Sequence, residues 1–109
     1  MPWLVREGEV LASVEVAQRP RQRVRGLLGR DVVEGGMVLR PCRQVHTVGM
    51  RFPIDVAFCD RDGRVLRVAT VPPWRLTRPV WRAGFVIEAA AGAFDRWRLR
   101  PGDHVEVKE

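Results

Sequence analysis

Short runs of β-forming residues, separated by turn-forming residues, dominate the hydrophobic pattern of this chain. Residues 10–17 are rich in valine, and their second half alternates apolar with polar positions, which predicts a strand. Two further β-rich runs, 54–59 and 64–71, flank residues 60–63, where two aspartates precede a glycine. A glycine-containing turn between two such runs is typical of a β-hairpin.

The remaining segments predict one short helix and several short strands. Residues 20–29 open with proline, end with glycine and place Val24, Leu27 and Leu28 on one apolar stripe, which predicts an amphipathic helix. The other predicted elements are strands at 37–39, 44–48, 85–90 and 104–107, an irregular loop at 72–83 and a helical turn at 92–97. The pattern therefore predicts a mainly β fold, either a compact sandwich or a barrel.

Length and composition favour one domain, residues 1–109, without a membrane span. A chain of 109 residues is close to the usual size of one domain, and no run approaches the ~20 apolar residues that a bilayer requires. The first seven residues contain no basic start followed by an apolar segment, so we expect a cytoplasmic protein. The two cysteines, Cys42 and Cys59, lack CxxC spacing, and we expect both to be reduced thiols.

The net charge of +6 raises the question of an anionic partner. Nineteen residues are basic and only Lys108 is a lysine. This excess of arginine weakens the inference of an anionic partner, because arginine alone can supply generic surface charge. The segment from Arg19 to Arg51 contains eight arginines and two acidic residues, whereas the positive and negative charges of the rest of the chain cancel. This region could be a weak nucleic-acid or anion binder whose affinity is lost at physiological salt. We do not expect a specific nucleic-acid partner.

Two carboxylates stand in otherwise apolar strands. Asp55 lies within residues 52–58 and Glu88 within 85–90, and a buried carboxylate needs a partner because its desolvation is costly. We expect both to lie on one face or rim, with Arg75 as the first and His46 as the second choice of partner. One interpretation is structural, with both carboxylates tying loops to strands through hydrogen bonds. The other is a polar site formed by His46, Asp55, Arg75 and Glu88.

An enzyme using His46, Asp55 and Glu88, for example a small hydrolase, is the alternative to a binding module. A histidine near a carboxylate can act in acid-base catalysis, and Cys59 could act as a nucleophile beside His46. The chain contains no established catalytic motif, so we assign no catalytic residue. We also expect no metal and no other cofactor, because Cys42, His46 and Met50 recur every four residues, which in a strand separates them by about 13 Å.

The loop at 72–83 combines aromatic and basic residues. Trp74 and Trp81 enclose Arg78, and Arg82 follows directly. Interleaved aromatic and basic side chains can form a sugar- or anion-binding surface, and a solvated loop face is the alternative. We take these four residues as a candidate ligand-contact loop.

Several segments together resemble the uncharacterised family named domain of unknown function 192. They are residues 25–30 (RGLLGR), 36–37 (GM), 46–58 (HTVGMRFPIDVAF), 62–63 (DG), 73–75 (PWR), 87–92 (IEAAAG) and 102–103 (GD). The resemblance implies a mainly β sandwich similar to a jelly roll and implies no established activity or cofactor. Our leading hypothesis is a non-catalytic binding module whose loops engage a small ligand or a protein partner.

Overall fold

The computed structural model describes residues 2–18 and 35–109. It contains seven strands and one short helix in the described part of the chain. They are β1 (Trp3–Arg6), β2 (Glu9–Ala17), β3 (Gly36–Leu39), β4 (Ile54–Cys59), β5 (Val65–Val71), β6 (Phe85–Ala90), α1 (Ala93–Trp97) and β7 (Glu106–Lys108). The predicted helix near 20–29 and most of the predicted basic region lie outside the described residues.

All seven strands form one mixed sheet in the order β5-β4-β6-β3-β2-β1-β7. Neighbouring strands are antiparallel except β2 and β3, which pair in parallel. The sheet does not close into a barrel, although a bridge between Arg64 and His104 joins the start of β5 to the segment before β7. The predicted mainly β fold is therefore confirmed, and the helical turn predicted at 92–97 appears as α1.

The hairpin predicted around residues 60–63 is formed by β4 and β5. Its turn is held by Asp60, whose Oδ1 accepts hydrogen bonds from the main-chain N–H groups of Asp62 and Arg64 at 3.0 and 2.9 Å. The pKa of Asp60 is lowered below its usual value, chiefly by the hydrogen bond from the Arg64 N–H. These contacts explain why short-range sequence signals identify this hairpin correctly.

Two elements differ from the sequence-based expectation. The predicted strand at 44–48 is wrong, because His46 forms only an isolated bridge with Leu76. The hydrophobic pattern does not predict β1, which pairs with both β2 and β7. The turn between β1 and β2 contains Glu7 and Gly8 at φ of 50° and 82°, and two successive positive φ values are what a tight type I′ hairpin turn requires.

The strand β4, which lies between β5 and β6, is buried on both of its faces. Every residue of β4 is buried, and alternation sends its odd-numbered side chains to one side of the sheet and its even-numbered ones to the other. On the helix side, Ala57 and Cys59 share a core cluster with Phe94 of α1. On the other side, Val56 and Phe58 share a cluster with Val45, Met50 and Ala83. We name the two segments that cover this second side, residues 40–53 and 72–84, the loop cover.

No helix in the described ranges is long and apolar enough to cross a bilayer.

Candidate functional site

Asp55 anchors the start of α1 from the helix side of the sheet. Asp55 is only 3% exposed to solvent, and its Oδ1 accepts a hydrogen bond from the Thr70 hydroxyl at 2.7 Å. Its Oδ2 accepts hydrogen bonds from the main-chain N–H groups of Gly92 and Phe94 at 2.9 and 3.1 Å. Gly92 precedes the helix and has no side chain with which to cap it, so Asp55 supplies the acceptor that the first helical N–H groups need. The donors are a hydroxyl and two amides, and neither Arg75 nor His46 is among them.

Glu88 is equally buried but points to the opposite side of the sheet. The register pairs Asp55 with Ala89, and Glu88 with Val56, and side chains of directly paired residues lie on the same face. Asp55 therefore faces the helix side, while Glu88 faces the side of the loop cover. The expectation that the two carboxylates share one face is not met, because adjacent positions of β6 point in opposite directions. This separation removes the geometric basis for a joint catalytic role of Asp55 and Glu88.

Cys59 cannot supply a thiolate nucleophile in the folded protein. It is fully buried on the helix side, and burial raises its pKa to about 12, with the charge of Asp60 as a smaller contribution in the same direction. Thiolate chemistry requires the opposite shift. Cys42 is half-buried and donates a hydrogen bond from Sγ to the Gln44 carbonyl at 3.2 Å, and the two cysteines are not joined in a disulfide. Within the described ranges, no group of three or more histidine, cysteine or acidic residues is arranged to hold a metal.

Thr47 holds the two halves of the loop cover together. Its side chain is fully buried, its hydroxyl donates a hydrogen bond to the Pro72 carbonyl at 2.6 Å, and it accepts one from the Arg75 N–H at 2.9 Å. The Thr47 main chain adds a bond from its N–H to the Arg75 carbonyl at 2.8 Å, and its carbonyl accepts one from the Trp74 N–H at 2.9 Å. Sequence reasoning missed this residue, because one threonine among apolar neighbours does not reveal which loop it will contact.

Further main-chain bonds extend this contact into a short antiparallel ladder. The Thr77 N–H donates to the Val45 carbonyl at 2.9 Å, and the Val80 N–H donates to the Arg43 carbonyl at 2.8 Å. Between the Thr47 and Thr77 contacts, His46 and Leu76 form an antiparallel bridge. The side chains of Val45 and Thr47 are buried beneath the ladder, so alternation directs Leu76 to its outer side, where it is 68% exposed. His46, opposite Leu76, is half-buried and its Nδ1 is excluded from water.

The outer surface of the loop cover exposes large apolar side chains. Their exposed fractions are 47% for Val48, 64% for Trp74, 68% for Leu76 and 74% for Trp81. The main-chain contacts described above bring Val48, Trp74 and Leu76 to the same part of the ladder, and Trp81 follows the Val80 contact. Single exposed apolar residues need no explanation, whereas a group of them on one surface is a candidate interaction site.

The same surface is strongly basic. Residues 40–53 and 72–84 contain six arginines and no acidic residue, which equals the net charge of the whole chain. Arg40 lies over the Phe85 ring, with its guanidinium carbon 4.6 Å from the ring centre. The other five are exposed: Arg43, Arg51, Arg75, Arg78 and Arg82. The loop cover thus collects His46, Arg75 and the four predicted ligand-contact residues, whereas Asp55 lies on the other side of the sheet.

Comparison with known proteins finds uncharacterised relatives. The family model of domain of unknown function 192, described as an uncharacterized ACR family, matches residues 4–107. A UPF0127 protein of Pyrococcus abyssi is 31% identical, with 86% of this chain and 85% of the relative covered. A UPF0127 protein of Pyrococcus horikoshii is 36% identical, and that match covers 57% of this chain and 54% of the relative, about half of its length.

Two solved structures have similar folds. A protein of unknown function from Novosphingobium aromaticivorans has a TM-score of 0.82 and 23% identity, with 96% of this chain and 82% of that chain covered. A protein from Sinorhizobium meliloti, described provisionally as a transcription regulator, has a TM-score of 0.77 and 25% identity, with 97% and 91% covered. These matches show that the fold is shared.

We predict that Asp55→Ala destabilises the domain, because it leaves the Thr70 hydroxyl and two helical N–H groups without their acceptor. The loss should be about 3 kcal/mol, which for a domain of this size lowers the melting temperature by roughly 12–24 °C. Asp55→Asn is the matched control and should cost about 1 kcal/mol, because its amide oxygen can still accept both N–H groups. Thermal denaturation followed by circular dichroism measures both values. Unchanged melting temperatures in both variants would contradict the structural role.

We predict that Thr47→Val loosens the loop cover while Thr47→Ser preserves it. Valine has the shape of threonine but leaves the Pro72 carbonyl and the Arg75 N–H without the hydroxyl, at a cost of about 1–3 kcal/mol. Hydrogen exchange at the N–H groups of Trp74, Arg75 and Thr77 should accelerate in Thr47→Val and remain slow in Thr47→Ser. Equal exchange rates in the two variants would show that the hydroxyl does not hold the loops.

We predict that Cys59 does not react with a thiol reagent at pH 8 until the protein unfolds. The Cys42→Ser variant isolates this thiol, and its native titre with dithiobisnitrobenzoate should be zero and should rise to one in guanidinium. Burial raises the pKa of the Cys59 thiol from its ordinary value of 9.0 to about 12, so above pH 9 the unfolded state loses a proton that the folded state keeps, and folding stability should fall. Removing Cys59 from the same background by Cys59→Ala should flatten this alkaline slope. Prompt stoichiometric reaction in the native state would contradict the buried, neutral thiol.

Proposed function

We propose that this chain, which belongs to the family of domain of unknown function 192, is a non-catalytic binding module that engages an anionic partner. The binding surface is the outer surface of the loop cover. One observation carries the proposal: four exposed apolar side chains share a region that contains six arginines and no acidic residue.

The apolar component favours binding because its exposure is costly to the isolated protein. Keeping Trp74, Leu76 and Trp81 in water forgoes about 1.5–3 kcal/mol for each large side chain that a partner could bury. None of the three is needed to fill the clusters on either side of the sheet. Tryptophan and arginine are also the residues that contribute most binding energy in protein interfaces.

The loop cover is also pre-organised for binding. The ladder between residues 43–47 and 74–80 is closed by main-chain bonds and by the buried Thr47 hydroxyl. A surface that is ordered before it binds loses less conformational entropy on association. The loops therefore behave as a fixed platform for the arginine and tryptophan side chains.

Asp55 and Cys59 are unavailable for chemistry together with His46. Asp55 accepts three hydrogen bonds that hold α1 and Thr70. Cys59 is buried with a raised pKa. His46 lies in the loop cover, on the other side of the sheet from Asp55. Glu88 faces the same side as His46, so these placements count against an enzyme that needs Asp55 together with His46 and Glu88, and they support binding over that alternative.

A nucleic acid is the second candidate partner. Exposed tryptophans beside arginines are also the features that bind single-stranded nucleic acid, by stacking and by phosphate contacts. The Sinorhizobium meliloti structure, described provisionally as a transcription regulator, gives this candidate an additional reason for testing. It remains second because the same surface includes two aliphatic side chains, Val48 and Leu76.

We also propose a cytoplasmic location. Cys42 and Cys59 are not joined in a disulfide, which is typical of proteins in a reducing compartment.

The test is a titration with two anionic polymers, polyaspartate and oligothymidylate, followed by tryptophan fluorescence. At least one polymer should change the emission in a saturable manner, because Trp74 and Trp81 lie within the proposed surface. Its affinity should fall as salt is raised, since exposed charges are screened. The Arg78→Ala/Arg82→Ala variant should bind more weakly, whereas the charge-matched control Arg64→Ala/Arg100→Ala should bind as the wild type does. Absence of binding by both polymers, or equal binding by both variants, would contradict the proposal.

A further inference from the structure

We propose that the partner of the loop cover is an extended acidic polypeptide that pairs its main chain with the outer edge of residues 75–78. This inference rests on the proposed function and identifies the class of partner. On the face toward the loop cover, acidic and apolar residues of the partner segment would alternate. The acidic side chains would contact the arginines, and the apolar ones would contact Trp74 and Leu76.

The edge of the ladder is the first argument for a polypeptide. The Thr47 N–H bonds the Arg75 carbonyl and the Thr77 N–H bonds the Val45 carbonyl, so residues 75 and 77 use their main chains toward residues 45–47. In an antiparallel ladder the main chain of the residue between them points the other way. Leu76 therefore directs its N–H and carbonyl outward, and in residues 2–18 and 35–109 no main-chain hydrogen bond to Leu76 is found. An outward row of donors and acceptors is what an added strand recognises.

The side chains beside this edge are the second argument. Leu76 and Arg78 are two positions apart, so an extended chain directs them to the same side. Leu76 is 68% exposed and Arg78 is also exposed. A paired segment would place an apolar residue opposite Leu76 and, two positions away, a carboxylate opposite Arg78. The preferred partner thus alternates acidic and apolar positions on one face.

The mixture of side chains is the third argument and separates a polypeptide from a nucleic acid. Phosphates and bases would use the arginines and tryptophans, but they gain little from Val48 and Leu76. A polypeptide can use all three kinds of contact, because its side chains and main chain supply carboxylates, apolar groups and strand-type hydrogen bonds. The surface contains no lysine and no acidic residue, which is the composition expected at the core of a protein interface.

The test compares four probes by isothermal titration at about 150 mM salt. The first is a ten-residue peptide with threonine at every second position. The positions between the threonines are occupied in turn by glutamate and by an apolar residue, so that these two types share one face. The second is the same peptide with N-methyl groups on the amides that would pair with the edge. The third has the same composition with all glutamates at one end, and the fourth is oligothymidylate. We expect saturable binding of the first peptide and a loss of at least about tenfold in affinity for the second and third.

Charge reversal identifies the contact. Arg78→Glu should weaken binding of the first peptide by about tenfold or more, while Arg100→Glu, on the turn after α1, should change it by less than about twofold. A peptide with lysine in place of glutamate should bind Arg78→Glu better than it binds the wild type. This exchange of preference would not arise from a general loss of stability.

The outcomes separate the two proposals. Equal affinity for the methylated and unmethylated peptides would overturn strand pairing, and tighter binding of oligothymidylate than of any peptide would overturn the polypeptide. In both cases, an Arg78-dependent affinity would leave the anion-binding function standing. Absence of binding by all four probes would overturn both the polypeptide partner and the proposed function.

Discussion

A strand that is buried on both faces requires a cover on each side, and this requirement organises the whole domain. β4 lies inside the sheet, and each of its residues is excluded from water. One cover is a five-residue helix and the other is a pair of irregular segments. Neither is long enough to be stable alone, because isolated short helices and loops lose more conformational entropy than their own contacts return. Each cover therefore depends on polar contacts. Those of α1 are made to the sheet, and those of the loop cover are made between its two segments.

Two buried side chains supply those contacts by the same physical means. Asp55 presents a carboxylate to the main-chain N–H groups at the start of α1. Thr47 presents a hydroxyl that both donates to and accepts from the main chain of the opposite loop. Each replaces the water that irregular backbone would otherwise need. Because these side chains take the place of water as hydrogen-bond partners, short and irregular segments can pack closely against the sheet.

The parts of the structure that depend on local patterns follow from the sequence, and the parts that depend on register do not. The β4–β5 hairpin is predicted because its turn residues and alternating runs act within a few positions of each other. The opposite orientation of Asp55 and Glu88 depends on which residue of β4 pairs with which residue of β6, and a shift of one position would reverse it. The role of Thr47 depends on residues 25–28 positions away. The composition of the candidate ligand-contact loop is a local property that the sequence displays directly, and its contact with a ligand stays a prediction.

The pairing of the first strand with the last has a consequence for how the domain is synthesised. Trp3 of β1 lies opposite Lys108 of β7, so residues almost the full chain apart must meet before the sheet is complete. Contacts between residues so distant in sequence slow folding, because a large loop must be closed before they contribute. During translation the β1–β2 hairpin can form early, but its outer edge stays open until the end of the domain has left the ribosome. In that interval the edge can pair with other chains, which makes rapid release or protection of the nascent domain valuable to the cell.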